Sequence, residues 1–225
     1  FQRGGKFRGL RCARKRKTVS RVYHLLVAAR KILLEAVREG ARVAIHYSSS
    51  EDEARQTAAE CGHAPLFRAD LVHVDEIERL FSEVEGHFGR IDAVVNNAGV
   101  GIFGNVETMS DAEWNAVIDT NVTGPFLMSR AAIPELRRAG GGWIINIASL
   151  AARNAFPQGA AYCASKAGLV AFSEAVMLET RNDNIRVSCV MPGSVSTEFS
   201  HPTAHADESW KLTAGDIAEV VMDLM

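Results

Sequence analysis

Tyr162 and Lys166 stand four residues apart, and the segment from Ala160 onward is rich in Ala, Ser, Lys, Leu, Glu and Met, a composition that favours helix. At that spacing both side chains lie on one helix face, one turn apart. A phenol beside an ammonium is a device for acid–base chemistry. Free tyrosine titrates near ~10, about 2–3 units above working pH, a deficit of roughly 3–4 kcal/mol at ~1.4 kcal/mol per unit. A positive charge about 4 Å away contributes roughly 4 kcal/mol at an effective dielectric of ~20, so one lysine is the right size of effect to lower the phenol. Ser149 follows the apolar run Trp143-Ile-Ile-Asn-Ile-Ala148 and could present a hydroxyl to the same substrate oxygen. A surface Tyr and Lys on an ordinary helix would show the same spacing, so the pair takes its meaning from its neighbours.

The elements around it follow one pattern. From Val22 the residues Val22, Leu25, Leu26, Ala29, Leu33, Ala36 and Val37 keep helical periodicity, with Gly40 as the cap. Strands are expected at Arg42–His46, Pro65–Ala69, Ile91–Val95, Trp143–Ala148 and Ile185–Val190. Helices are expected at Glu51–Cys61, Asp75–His87, from Ser110 to about Arg138, at Ala160–Thr180 and at Ala218–Met225, the last with Thr213 as its cap. Ser110-Asp-Ala-Glu113 is a capping box, and Gly124-Pro125 predicts a local distortion of its helix near Asn121. Helices alternating with short apolar strands specify an α/β protein with a parallel sheet covered on both faces. Ligands in such sheets bind at the carboxyl ends of the strands. Asp70, Asn96, Ser149 and Pro192 all fall there, on four different strands.

The chain has 225 residues, 47% hydrophobic and 23% charged, with a net charge of -2. That balance fits one globular α/β domain and gives no global reason to expect nucleic acid as a partner. Cys12, Cys61, Cys163 and Cys189 are scattered without a Cys-x-x-Cys pair, which points to reduced thiols and a cytoplasmic location. The histidines lack metal-ligand spacing, so no metal is expected, and no apolar run approaches the ~20 residues of a membrane span. Residues 1–21 are strongly basic and read as a disordered or non-native segment, leaving 22–225 as the folded domain. A basic arm for nucleic acid rests on those residues alone. The chain starts with Phe and stops at Met225 inside a helical pattern, as a piece of a longer reading frame would.

Taken together, Asp70-Leu71, Asn96-Asn97-Ala98-Gly99, Asn121-Val-Thr-Gly, Ser149, Tyr162-Cys-Ala-Ser-Lys166 and Pro192-Gly193-Ser-Val195-Ser-Thr197 resemble the short-chain dehydrogenase/reductase family. The match runs from about Arg30 onward and is similar in detail to 3-oxoacyl-carrier-protein reductases and general carbonyl reductases. The resemblance implies a Rossmann-like doubly wound parallel sheet in a single domain. It also implies an NAD(P)-dependent oxidoreductase that interconverts a carbonyl and a secondary alcohol. Tyr162 would exchange the proton with the substrate oxygen, and Lys166 would lower its pKa and bond the nicotinamide ribose. Ser149 would polarise the carbonyl, and Asn121 would hold a water linking Lys166 to solvent. Asp70, with Leu71 beside it, would bond the adenine. Asn96, Asn97, Ala98 and Gly99 would support the central strands and the adenosine side. Pro192, Gly193, Val195 and Thr197 would wrap the carboxamide side. Residues from Ser194 to Trp210 would form a substrate lid. Phe103, Phe156 and Phe199 could line an apolar pocket, with core packing the commoner fate of any one of them. Full-length members of the family are homo-oligomers.

The chain departs from the family at its start. The glycine-rich turn that lets a backbone approach a pyrophosphate is absent, and Tyr23, Val27 and Ala29 occupy its three glycine positions. Thr18–Val22 is the best remaining stretch for the first strand, and the family's last strand is missing. Residues 1–29 are therefore expected to replace a native start. Cofactor choice rests on Tyr47-Ser48-Ser49-Ser50, where no carboxylate repels a 2′-phosphate, which favours NADP over NAD. Two functions compete: the oxidoreductase, and an inactive remnant that keeps the site residues but cannot hold cofactor.

Overall fold

The computed structural model describes residues 24–27, 30–196 and 210–225. Six parallel strands form one sheet in the order β3-β2-β1-β4-β5-β6, where β1 is His24–Val27, β2 Arg42–Tyr47, β3 Leu66–Arg68, β4 Ala93–Asn96, β5 Gly142–Ile147 and β6 Ile185–Val190. The helices are α1 Arg30–Arg38, α2 Glu51–Glu60, α3 Val74–Phe88, α4 Asp111–Ile118, α5 Gly124–Arg138, α6 Ala160–Thr180 and α7 Ala214–Leu224. This is the expected Rossmann-like α/β fold. The order reverses at β1 and β4, which places the topological switch point between them.

Alternation along each strand sends side chains to opposite faces, and both faces are covered. Val43, Ile45, Ala93, Val95 and Ile145 pack with Leu33 and Ala36 of α1, Ala54 of α2 and Val221 of α7. Ala44, Val94 and Ile144, one residue out of phase, pack with Leu80 and Val84 of α3 and Leu127 and Leu136 of α5. A strand buried on both faces needs a continuous apolar run, and Ala93-Val94-Val95 supplies one.

The helical reading from Val22 needs correction. His24–Val27 is a strand, paired in parallel with Arg42–Ile45 on one side and Ala93–Val95 on the other, and the helix starts at Arg30. Four consecutive apolar or aromatic residues satisfy a buried strand as well as a helix face, and the two flanking strands decide the matter by hydrogen-bonding the backbone from both sides. The central strand therefore lies beyond Thr18–Val22, which, like the basic segment 1–21, falls outside the described residues. The last helix also begins earlier than expected, because Thr213 and Asp216 form a capping box at its start. After β6 the described residues add no strand to the sheet.

Candidate active site

Helix α6 and strand β5 converge on the chemistry. Lys166 is buried, and its Nζ donates to the carbonyl of Ile147, the last residue of β5, at 2.9 Å. The same Nζ lies 5.8 Å from the centre of the Tyr162 ring, one helical turn back. Ser149 follows β5 in extended conformation, and its Oγ accepts from the N–H of Ala151 at 3.1 Å, opening a 3-10 turn over Leu150–Ala152. The Ser149 side chain also hydrogen-bonds the Tyr162 phenol. Serine, tyrosine and lysine are thus brought together by two adjacent elements.

Burial governs both titrating groups. It pushes the Lys166 ammonium down from 10.5 to about 8, against a smaller opposing influence from Cys189 on β6. It pushes the Tyr162 phenol up, and the hydrogen bond from Ser149 offsets part of that rise. The net shift of the phenol is therefore upward, with burial outweighing any lowering by Lys166 in the protein by itself. The ammonium stands over the ring and spends a donor on Ile147, while desolvation penalises the phenolate.

Asn121 is fully buried in a π-helical turn, Asp119–Thr123, that joins α4 to α5. This is the expected distortion. Pro125 has no N–H to offer the Asn121 carbonyl four residues earlier, so the regular α-helical bond cannot form. The Asn121 side chain is occupied: Oδ1 accepts from Val100 N–H at 2.8 Å, and Nδ2 donates to Val100 O and Ser165 Oγ, both at 2.9 Å. Ser165 in turn donates to the Tyr162 carbonyl at 2.8 Å. Asn121 therefore ties the loop after β4 to the start of α6.

That loop carries Asn97, Ala98 and Gly99, all half-buried at the carboxyl end of β4. Asn96 is a strand residue, and its Nδ2 donates to Asn146 Oδ1 at 2.8 Å, while Asn146 donates to Ser173 Oγ at 2.8 Å. These bonds tie β4, β5 and α6 together. A Cβ on Gly99 would lie 3.2 Å from Asn121 Oδ1 and 3.3 Å from Lys166 Nζ.

Asp70 and Leu71 follow β3. The Asp70 carboxylate accepts from Val72 N–H at 3.2 Å, the turn that an Asp after a strand often makes, and its side chain is 48% exposed. Leu71 packs its Cβ against Gly124. Pro192 and Gly193 follow β6; the Pro192 carbonyl accepts from Leu150 N–H at 2.8 Å, fastening this segment to the Ser149 turn. Val195 bridges Leu212, and Ser196 N–H donates to the Leu212 carbonyl at 2.8 Å. Thr197, Phe199 and most of the expected lid lie outside the described residues.

Two further groups bear on the site: the Phe103–Phe156 pair, named above as possible pocket residues, and Arg68. Phe103 and Phe156 are 48% and 43% exposed, so core packing is not their fate. Phe103 stands 5.7 Å from the Tyr162 ring, edge-on, and 5.8 Å from Phe156. Arg68, at the end of β3, donates its Nε to the Ser48 carbonyl at 3.2 Å, bringing a guanidinium to the Tyr47–Ser50 segment. Sequence spacing gives no sign of that contact, because the two residues meet only through the β2–β3 pairing. Among the described residues no group of three or more His, Cys, Asp and Glu could hold a metal, and no helix is long and apolar enough to cross a membrane.

Comparison with known proteins agrees with this arrangement. Residues 29–208 match the short chain dehydrogenase family. A short-chain type dehydrogenase/reductase of Picea abies is 35% identical over 182 residues, covering 76% of this chain and 67% of that protein. A 3-oxoacyl-[acyl-carrier-protein] reductase of Staphylococcus aureus is 30% identical over 198 residues, covering 86% and 80%. The crystal structure of acetoin dehydrogenase from Enterobacter cloacae superposes with a TM-score of 0.81 at 26% identity, covering 91% of this chain and 88% of that one. With strand order, helix placement and a match over most of its length in agreement, the chain belongs to the short-chain dehydrogenase/reductase family.

Proposed function

We propose that the chain is an NADP-dependent oxidoreductase that interconverts a small-molecule carbonyl and a secondary alcohol, with Ser149, Tyr162 and Lys166 as its catalytic residues and Asn121 supporting them. The observation that carries this is the Ser149–Tyr162 hydrogen bond with the Lys166 ammonium over the same ring. A bound nicotinamide dinucleotide would supply or accept the hydride at the substrate carbon. The protein's own residues handle the oxygen. Ser149 and the Tyr162 phenol converge as two hydroxyls that can both bond one carbonyl oxygen. A phenol that burial keeps protonated is fitted to donate its proton to that oxygen during reduction. Lys166, mostly protonated at neutral pH, places a positive charge beside the ring and favours the phenolate that forms. In the reverse direction the same phenolate takes the alcohol proton. Water to replace the proton would be held by the Asn121 carbonyl, since the Asn121 side chain is already spent on Val100 and Ser165.

A dinucleotide would be held from both ends of the site. Asp70 with Leu71 would take the adenine, Asn96 to Gly99 the adenosine side, and Tyr162, Lys166, Pro192, Gly193, Val195 and Thr197 the nicotinamide side. Gly99 leaves the space beside Lys166 open. The choice of NADP over NAD rests on the serines after β2 and on the Arg68 guanidinium that reaches them, a positive partner for a 2′-phosphate. An inert remnant would keep the same cluster of Ser149, Tyr162, Lys166 and Asn121, so cofactor binding is what separates it from the enzyme.

Thermal denaturation with each cofactor tests the proposal. NADPH at a hundredfold excess over its dissociation constant should stabilise the fold by ~2.7 kcal/mol, and NADH at the same concentration by less. No shift with either would favour the remnant.

A further inference from the structure

We propose that the substrate carries an apolar, ring-sized group next to its carbonyl carbon, and that Phe103 and Phe156 select it. This rests on the reading of Tyr162 as the group that gives the carbonyl oxygen its proton.

The aromatic pair is built into the mouth of the site. Phe103 comes from the loop after β4 and Phe156 from the segment before α6. Gly104 N–H donates to the Gln158 carbonyl at 2.9 Å, tying the two loops together. Gln158 holds φ at 65°, a left-handed conformation that a residue with a side chain rarely adopts. Gly159 follows, and a Cβ there would stand 2.5 Å from the Phe156 ring. The chain thus spends an unfavourable backbone angle and a side-chain-free position on placing one ring. That ring braces Phe103, and Phe103 sets its edge against Tyr162.

Neither ring is consumed by the core, since both stay more than two-fifths exposed. Leu150, next to Ser149, is 44% exposed, and its Cδ1 lies 3.4 Å from the point where a Gly193 Cβ would be. Apolar side chains therefore stand on three neighbouring segments: Phe103 against Tyr162, Phe156 against Phe103, and Leu150, next to Ser149 in the chain, beside Gly193. A phenyl or branched alkyl group on the carbonyl carbon would cover them and remove water from both surfaces. A polyol or small hydroxyketone would turn hydroxyls toward rings that offer no strong donor or acceptor.

The test uses the complete chain, acetophenone as the apolar probe and acetoin as the polar one. Ligand-detected saturation-transfer NMR reads binding, and NADPH consumption reads turnover. We expect acetophenone to bind more tightly than acetoin and its kcat/KM to exceed that of acetoin by about tenfold or more. Phe103→Ala with Phe156→Ala should cut that ratio by about tenfold, while Phe103→Leu should restore part of it. Tyr162→Phe should leave acetophenone binding in place and remove turnover of both ketones. Equal binding and turnover of the two ketones would overturn the inference, as would a ratio unmoved by the double alanine variant. Full turnover in Tyr162→Phe would instead overturn the proton-donor reading, a separate result from the ratio.

Discussion

The missing side chain of Gly99 is what lets Lys166 sit where it does. A Cβ on Gly99 would come within 3.3 Å of the Lys166 Nζ and 3.2 Å of the Asn121 Oδ1, closer than ordinary van der Waals contact allows. Three elements meet at that spot: the loop after β4, the π-turn and α6. Gly99→Ala should displace the amine or the amide by a few tenths of an ångström. We expect turnover to fall about tenfold, equal to ~1.4 kcal/mol in the barrier, with stability reduced by about 1 kcal/mol. Steady-state kinetics beside a denaturant titration checks both, and an unchanged variant would show that the close approach is of no consequence.

Asn121 is predicted to matter first for the fold and then for the chemistry. Its amide satisfies both backbone groups of Val100 and the Ser165 hydroxyl in a fully buried place. Asn121→Ala leaves those groups without their partner, and each buried group so stranded costs about 1–3 kcal/mol. Chemical denaturation should report a loss of about 3 kcal/mol or more. Asn121→Asp keeps the acceptor for Val100 N–H and loses both donors, so it should fall nearly as far.

Lys166 sets a pH dependence whose sign is fixed by its depressed value. Below about 8 the ammonium is charged both in the fold and in the unfolded chain, and the cost of burying it is fully present. Between about 8 and 10.5 the folded protein has released a proton that the unfolded chain still holds, so stability rises with pH through that window. The full effect is roughly 3 kcal/mol. Lys166→Met should flatten the curve there. Carbonyl reduction should decline above pH ~8, where the charge beside Tyr162 is lost, and a pH–rate profile that stays level to pH ~10 would speak against that role.

Arg68 is predicted to select the cofactor. Arg68→Ala should weaken NADPH by about tenfold or more and leave NADH nearly unchanged, since one charge-assisted contact to a phosphate is removed. Isothermal titration with the two cofactors measures the ratio directly.

Much of this was legible in the residues. Helix α6 was placed by its helix-favouring composition and strand β6 by its short apolar run, and the distortion near Asn121 followed from Gly124-Pro125, because proline's missing N–H is a local property. The ends of four strands were also legible, and Asp70, Asn96, Ser149 and Pro192 fall at the carboxyl ends of β3, β4, β5 and β6. What escaped depends on contacts between distant segments. His24–Val27 reads as helix or strand until β2 and β4 are known to flank it. The direction of the Tyr162 shift depends on how deeply the ring is buried and where Lys166 spends its donor, neither of which spacing encodes. Arg68 meets Ser48 only through sheet register, and Phe103 meets Tyr162 only through two loops.

The central claim is that the Tyr162 hydroxyl moves the substrate's proton. Tyr162→Phe removes that oxygen and keeps the ring that packs against Phe103. With NADPH saturating and its binding confirmed by calorimetry, carbonyl reduction should drop by about 10²–10⁴-fold while the melting transition stays close to that of the parent chain. Turnover equal to that of the parent would contradict the account.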